Sequence, residues 1–152
     1  MTVDLIRNEI IAAFASVSLG EGIGLWQAQA IDDHETKEAQ LKARERDEKT
    51  DWLAIPDIDI SNCHSSLSFV DAEGMRFLMP AFIMVELSGK TSGVAIYSLS
   101  QEAIVSPERF HLFNNAQKQA IAIFLEFCLD DVNYAFDAPH IERALIEFWY
   151  RN

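Results

Sequence analysis

Apolar side chains recur at intervals of three and four residues in three separate stretches of this chain. The stretches are residues 3–17, 115–129 and 138–150. Such spacing lines the apolar groups along one side of an α-helix, where they can face a core. Three stripes of this length restrict the chain to folds in which helices pack on helices. The stripes predict three nearly buried aromatic side chains: Phe14, Phe124 and Phe148.

Weaker patterns between these stretches predict shorter elements. Residues 25–31 predict a short helix, and Pro80 fits the first turn of a buried helix over 80–88, where a strand is the alternative. Two glycines predict a break over 89–93, and the next residues predict a short strand at 94–99. The predicted fold class is therefore mostly α, a compact multi-helix domain with room for one or two short strands.

The composition is strongly acidic. The chain carries 24 acidic and 12 basic side chains, which gives a net charge of −12. Nucleic acids and anionic membrane surfaces are bound through clustered Lys and Arg, so this charge argues against both as partners. Two interpretations stay open: the acidity keeps the protein in solution, or it steers the protein toward a basic partner.

The lack of membrane and secretion signals and the use of cysteine both indicate a cytoplasmic protein. No run of 18 apolar residues predicts a membrane-spanning helix. Asp4 and Arg7 interrupt the segment where a secretory signal needs apolar residues. Cys63 and Cys128 are far apart and lack metal-ligand spacing, which favours two buried, reduced thiols and leaves a disulfide as the alternative. We therefore expect a cytoplasmic protein, and its length suits a single globular domain over 1–152.

The acidic charge is unevenly distributed. Residues 35–50 hold five acidic and five basic side chains and few apolar ones, which is typical of an exposed helix with ion pairs four residues apart. Because that segment is neutral, the whole net charge lies elsewhere. Residues 51–73 contain no Lys or Arg, and a second acid-rich stretch runs over 126–142. From the first stretch we predict four carboxylates that bind a basic partner: Asp57, Asp59, Asp71 and Glu73.

Two acidic clusters invite a metal-binding interpretation. The run DDHE at 32–35 holds ligand types for zinc, manganese or iron, but consecutive residues of a helix point in different directions. Asp57 and Asp59 form an Asp-x-Asp pair without the further Asp, Gly and Glu of a calcium loop. We interpret both clusters as loop or helix-boundary residues and expect no bound metal.

The motifs of nucleophilic catalysis and phosphate binding lack their usual context. Cys63 and His64 are adjacent, and neighbouring side chains rarely reach nucleophile–base geometry. The run GEGIG at 20–24 is similar to a phosphate-binding loop, but it follows a helix instead of a strand. His111 lies between two apolar residues and fits a packed or surface histidine. We predict no catalytic residue and no cofactor.

Three longer stretches carry a family resemblance. Residues 9–25 read EIIAAFASVSLGEGIGL, residues 67–82 read LSFVDAEGMRFLMPAF, and residues 113–127 read FNNAQKQAIAIFLEF. Together they resemble an uncharacterised bacterial domain family, a domain of unknown function whose central motif is Asp-Ala-Glu-Gly followed by Pro-Ala. The resemblance implies a bacterial, intracellular protein of one domain, and it supplies neither a substrate nor catalytic residues.

The central motif also has a structural interpretation. Gly74 permits a tight turn, and Arg76 is placed to pair with Asp71 or Glu73. Pro80 then suits the start of the next helix. We prefer this explanation of the motif to a functional site.

The sequence supports three functional hypotheses. The first is a non-enzymatic, acidic protein-interaction domain, such as an immunity- or antitoxin-type inhibitor, because an acidic face can block a basic cleft. The second is a small-ligand-binding protein or an enzyme whose site is assembled from dispersed residues such as Asp71, Glu73, Arg76 and His111. The third is a scaffold or regulator. A flat acidic face would favour the first hypothesis, and a charged pocket the second.

Overall fold

The computed structural model describes residues 1–90 and 93–152. Throughout these ranges the regular structure is helical and contains no strand, which confirms the predicted fold class. The helices in chain order are α1 (Val3–Phe14), α2 (Leu25–Asp32), α3 (Lys37–Arg46), α4 (Asp57–Asn62), α5 (Ala72–Leu87), α6 (Val94–Tyr97), α7 (Ala103–Val105), α8 (Asn115–Leu129) and α9 (Ala138–Ala144). Short 3₁₀ segments lie at Trp52–Ala54, Ser66–Phe69, Pro107–Phe110 and Val132–Tyr134, and π-helical segments at Ser98–Glu102 and Leu145–Trp149. None of the described helices combines the length and apolar content that a membrane crossing requires.

The backbone groups into two compact units. The first unit is Met1–Ala15 with Ala95–Asn152, and the second unit is Ser16–Val94. Such a grouping does not measure whether either unit folds alone, so the single-domain organisation stays a prediction.

The first unit is built around α8. Helix α1 packs on α8, which also contacts α9 and the π-helical segment after it. Thr2 caps α1 by accepting a hydrogen bond from the Leu5 N–H at 3.2 Å. Asn114 and Gln117 form a reciprocal capping box at the start of α8, so this helix has the predicted bounds 115–129.

Aromatic rings fill the interior of the first unit. Phe14 and Phe124 are 0% and 1% exposed, as predicted. The prediction for Phe148 is wrong: this ring is half-buried, and Trp149 at 2% exposure takes the inner position. A π-helical turn contains an additional residue, which rotates the apolar stripe relative to an α-helix. The Trp149 indole N–H donates to the Leu99 carbonyl at 2.7 Å, which satisfies its buried polar group.

The second unit contains the longest helix, α5. The predicted helix began at Pro80, but α5 starts at Ala72 and Pro80 lies in its interior. An interior proline costs about 3 kcal/mol. Helix α5 tolerates it because apolar residues are buried on nearly every side, and that burial offsets the lost hydrogen bond. Helix α3 has no buried residue, as predicted for the charged segment. It ends at Arg46, however, the next residue Asp47 is buried, and no ion pair four residues apart forms within α3.

The strand predicted at 94–99 is wrong. This segment forms α6 and the start of a π-helical segment. Its buried residues Ala95, Ile96, Leu99 and Ala103 follow a helical spacing, which a short apolar run conceals. Positions 91 and 92 of the predicted break lie outside the described residues.

Candidate functional site

Two of the four carboxylates predicted on the first acidic stretch, Asp57 and Asp59, differ in their surroundings. Asp57 is exposed on α4 and forms an ion pair with the Lys90 ammonium at 3.3 Å. Asp59, two residues later, is half-buried, and its negative charge contributes to raising the pKa of Cys63. Lys90 therefore balances part of the charge that the sequence leaves unneutralised.

Asp71 and Glu73 lie at the start of α5 against the glycine loop at 20–24. The Asp71 carboxylate accepts hydrogen bonds from the Gly74 N–H at 2.9 Å and the Ile23 N–H at 3.0 Å. A Cβ added at Gly22 would lie 2.7 Å from the Glu73 Cβ, so the two segments are in tight contact. Asp71 and Glu73 therefore have a structural role: they hold the glycine loop at 20–24 against the first turn of α5.

The predicted pairing of Arg76 does not form within the described part of the chain. No ion pair joins it to Asp71 or Glu73, and its Nε is a buried donor without a hydrogen-bond partner there. His111 is exposed and belongs to the first unit, whereas the other three residues of the dispersed-site hypothesis belong to the second.

Protein groups accept several of the backbone N–H groups around the glycine loop. Within the loop, the Leu19 carbonyl accepts the Gly22 N–H and Asp71 accepts the Ile23 N–H. At the following helix, Asp47 accepts the N–H groups of Trp26 at 2.6 Å and Gln27 at 3.2 Å. The Arg44 guanidinium donates to the carbonyls of Gly20 and Gly22. Protein carboxylates thus occupy the first N–H groups of α2, where a phosphate-binding loop would hold its ligand.

Asp47 acts as the cap of α2 although it lies some twenty residues further along the chain. Gly24 is at the N-cap position and has no side chain to accept the first N–H groups of α2. A Cβ there would lie 2.4 Å from the Asp47 carboxylate, so glycine leaves the room that this carboxylate fills. Burial raises the pKa of Asp47, and the hydrogen bonds from Trp26 and Gln27 only partly oppose that effect.

Adjacent carboxyls should give opposite pH dependences of stability. The pKa of Asp47 in the folded protein is raised from its ordinary 3.8. The contribution of this carboxyl to the stability of the folded state is therefore complete below pH 3.8, and it is lost as pH rises through the raised pKa. The backbone N–H groups of Thr50 and Asp51 lower the pKa of Glu48 from 4.5. Its contribution is therefore present above 4.5 and is lost as pH falls through the lowered pKa.

Urea unfolding of Asp47→Asn and Glu48→Gln between about pH 3 and about pH 7 measures this difference. Relative to the parent, Asp47→Asn should gain stability as the pH rises. Glu48→Gln should gain stability as the pH falls. Parallel curves for the two variants would contradict the assigned pKa directions.

The acidic run at 32–35 lies at a helix boundary, as interpreted from the sequence. Asp32 is the last residue of α2 and Asp33 its C-cap, and His34 follows in a left-handed conformation with φ of 57°. No group of three or more His, Cys, Asp or Glu side chains in the described ranges is arranged to hold a metal ion. Burial raises the pKa of the Cys63 thiol to about 12, with the Asp59 and Asp47 charges adding to that effect. Cys63 and Cys128 are both buried.

Two pockets adjoin Trp26 in the second unit. The larger, about 640 Å³, lies along α2 and α3, and the smaller, about 230 Å³, reaches Pro56 and Asp59. Arg46 lines both pockets, with its guanidinium carbon 3.6 Å from the centroid of the Trp26 ring. This cation–π contact holds a basic side chain against an aromatic ring instead of a carboxylate.

A third pocket lies near the C-terminal end of α8 in the first unit. It has a volume of about 220 Å³ and is lined by Met1, Ile123, Glu126, Phe127 and Asp130. Its walls therefore combine three apolar side chains with two carboxylates. Both acids belong to the 126–142 stretch that the sequence marks as acidic, but periodicity does not show that they share a pocket.

The connection after α8 exposes two large apolar side chains. Val132 is 84% exposed and Phe136 is 85% exposed. Asp130 and Asp131 precede Val132, and Asp137 follows Phe136. Isolated exposed apolar residues are common, and these two differ in lying within five residues of each other among three acids. Composition alone does not report their exposure.

Comparison with known proteins gives a family and no function. The model of a family of unknown function (DUF6714) matches residues 1–152. No curated protein and no solved structure matches the chain. The full-length match confirms the expected resemblance to a domain family of unknown function.

Proposed function

We propose that this chain, which belongs to the family of unknown function DUF6714, is a non-enzymatic, acidic protein-interaction domain that binds a basic partner protein. An inhibitor of the immunity or antitoxin type is the specific form that we favour, acting in the cytoplasm. Such an inhibitor covers the basic cleft of its partner with a complementary acidic surface. The proposal rests on how this chain uses its own basic side chains.

One observation carries the proposal: several basic side chains contact groups other than carboxylates. They are Arg44 at the carbonyls of Gly20 and Gly22, Arg46 at the Trp26 ring, Lys49 at the Asp47 carbonyl, and Lys118 at the Phe148 ring and the Arg151 carbonyl. Each such contact directs a positive charge away from direct pairing with a carboxylate. With 24 acids against 12 bases, the result is a surplus of carboxylates available to an external cation.

This surplus supports association through long-range attraction. Complementary charge raises the rate of encounter, so it changes the on-rate more than it changes the affinity of the final complex. The ion pairs that do form, such as Asp57 with Lys90 and Glu102 with Arg109, reduce the attraction locally. We therefore expect acids outside these pairs to contribute most.

Binding to the partner should depend strongly on salt. We propose as candidates the basic proteins encoded beside the gene of this chain, purified separately. Raising salt from 0.01 M to 0.1 M shortens the Debye length from about 30 Å to about 10 Å. The on-rate measured by surface plasmon resonance should fall by about tenfold, while the off-rate changes less. Coexpression of this chain should also restore growth to cells that are inhibited by the partner.

Charge reversal locates the surface that steers binding. Asp57→Lys with Asp59→Lys tests the carboxylates of the first acidic stretch, and Glu126→Lys with Asp130→Lys makes the same charge change in the second. Thermal unfolding checks that each double variant is folded. If none of the candidates binds, the acidity serves solubility alone. The same conclusion follows if the on-rate is equal at both salt concentrations and neither double variant changes it.

A further inference from the structure

The pocket at the end of α8 has the chemistry of a site for a long cationic side chain. Ile123 and Phe127 supply apolar wall, and Glu126 and Asp130 supply two carboxylates in the same lining. An arginine or lysine side chain has the matching division, an aliphatic stem with a charged end. A pocket with only apolar walls, or an acidic cluster without them, would lack this correspondence.

The volume is on the scale of a single long side chain. The pocket measures about 220 Å³ and is open to solvent. It can accommodate one long side chain with its stem on the apolar wall and its charged end toward the carboxylates.

The direction of α8 adds to the attraction for a cation. The pocket includes residues of the last two turns of this 15-residue helix, where the macrodipole is negative. The last turn contains no basic side chain of its own. The only cation in the pocket lining is therefore the N-terminal ammonium of Met1, and no ion pair joins it to Glu126 or Asp130 in the described part of the chain.

Tyr150 lies beside one of the carboxylates. Burial, together with the charge of Glu126 and a hydrogen bond to it, raises the pKa of the tyrosine. Both side chains are exposed, so this contact lies at the protein surface.

We infer that this pocket receives an arginine side chain of the basic partner, with Val132 and Phe136, in the connection that follows α8, as further apolar contacts of that partner. This inference rests on the proposed function and specifies its site. Arginine fits better than lysine because its planar guanidinium pairs with two carboxylates and packs on aromatic rings. The exposed rings and methyl groups after α8 then lose their contact with water when the partner covers them.

A peptide pair tests the pocket without the partner. Acetyl-Ala-Arg-Ala-amide is titrated into the full chain, and the resonances of Ile123 and Phe127 are followed by NMR. The matched control replaces arginine with citrulline, which has nearly the same shape and no charge. We expect saturable shifts with the arginine peptide and at least tenfold weaker binding of the citrulline peptide. Equal shifts with both peptides, or no saturable shift, would overturn the inference.

Matched variants assign the binding to the two carboxylates. Glu126→Gln with Asp130→Asn should weaken the arginine peptide at least tenfold, and Tyr150→Phe should weaken it about threefold. Asp57→Asn with Asp59→Asn removes the same charge in the second unit and should change binding less than twofold. Thermal unfolding confirms that each variant is folded. Equal losses from the two double variants would show nonspecific attraction and refute the pocket.

The partner distinguishes the two proposals. If a basic partner binds with a salt-dependent on-rate but Glu126→Gln with Asp130→Asn leaves its affinity unchanged, the pocket is wrong and the proposed function stands. If the arginine peptide binds in the pocket but no basic partner shows salt-dependent association, the proposed function is wrong. Phe136→Ala should weaken the partner complex at least tenfold and leave the peptide titration unchanged.

Discussion

Replacing Phe124 with alanine should lower the free energy of unfolding by about 3–5 kcal/mol. Phe124 lies on α8, is 1% exposed and belongs to the helix on which α1 and α9 pack. Removing its ring loses the transfer free energy of the aromatic group and leaves a cavity that rigid helices fill only in part. Urea denaturation followed by circular dichroism gives the change directly.

Phe136→Ala is the matched control for this change. It removes the same ring from a position that is 85% exposed, so its effect on unfolding should stay within about 0.5 kcal/mol. The difference between the two variants isolates burial from residue type. If Phe124→Ala changed stability as little as Phe136→Ala does, the assignment of α8 to the core of the first unit would be wrong.

Local signals in the sequence were sufficient to predict the bounds of a helix where that helix is amphipathic and is capped by an adjacent residue. The bounds of α8 follow from its stripe and from Asn114, which precedes it as a cap. Helix α1 ends at Phe14, three residues before the predicted end, and Val17 is still buried beyond it. A buried residue after a helix continues the stripe in the sequence without continuing the helix.

Periodicity failed where burial is nearly complete. Helix α5 is apolar on most sides, so neither its start at Ala72 nor the interior position of Pro80 shows in the pattern. The same lack of contrast made the segment that forms α6 resemble a strand. In both places tertiary burial determines the structure, and single-residue preferences do not report it.

The candidate sites depended on contacts between distant parts of the chain. The sequence identifies which residues are acidic, but it does not reveal that Asp57 pairs with Lys90 or that Asp47 caps α2. It also places Met1, Glu126 and Tyr150 far apart, although the first two line one pocket and the third contacts Glu126. The sequence shows which stretches are acidic, and the fold shows which of their carboxylates are paired and which share a pocket.

The Asp-Ala-Glu-Gly motif is explained by the way loop and helix meet in the second unit. Asp71 joins the first turn of α5 to Ile23, and Arg44 donates to the carbonyls of Gly20 and Gly22 within that loop. The loop therefore has little freedom to move away from α5. Gly74 lies at the point of closest approach, which makes it the position where a single methyl group should have a large effect.

Gly74→Ala should destabilise the protein by about 3 kcal/mol, although alanine is the better helix former by about 1 kcal/mol. The added Cβ would lie 2.2 Å from the carbonyl oxygen of Ile23 and 2.9 Å from the Cβ of Val70. The oxygen belongs to the backbone of Ile23, and the N–H of the same residue donates a hydrogen bond to the Asp71 carboxylate. Moving Ile23 to relieve the clash must therefore disturb that hydrogen bond.

Ala72→Gly, two residues earlier on α5, changes the helix preference in the opposite direction and should cost at most about 1 kcal/mol. Both variants should therefore lower the midpoint of urea denaturation, with the larger loss for Gly74→Ala. If preference alone governed this turn, Gly74→Ala would instead raise the midpoint. That result would show that the loop at 20–24 yields to the new methyl group and that the contact with α5 is not tight.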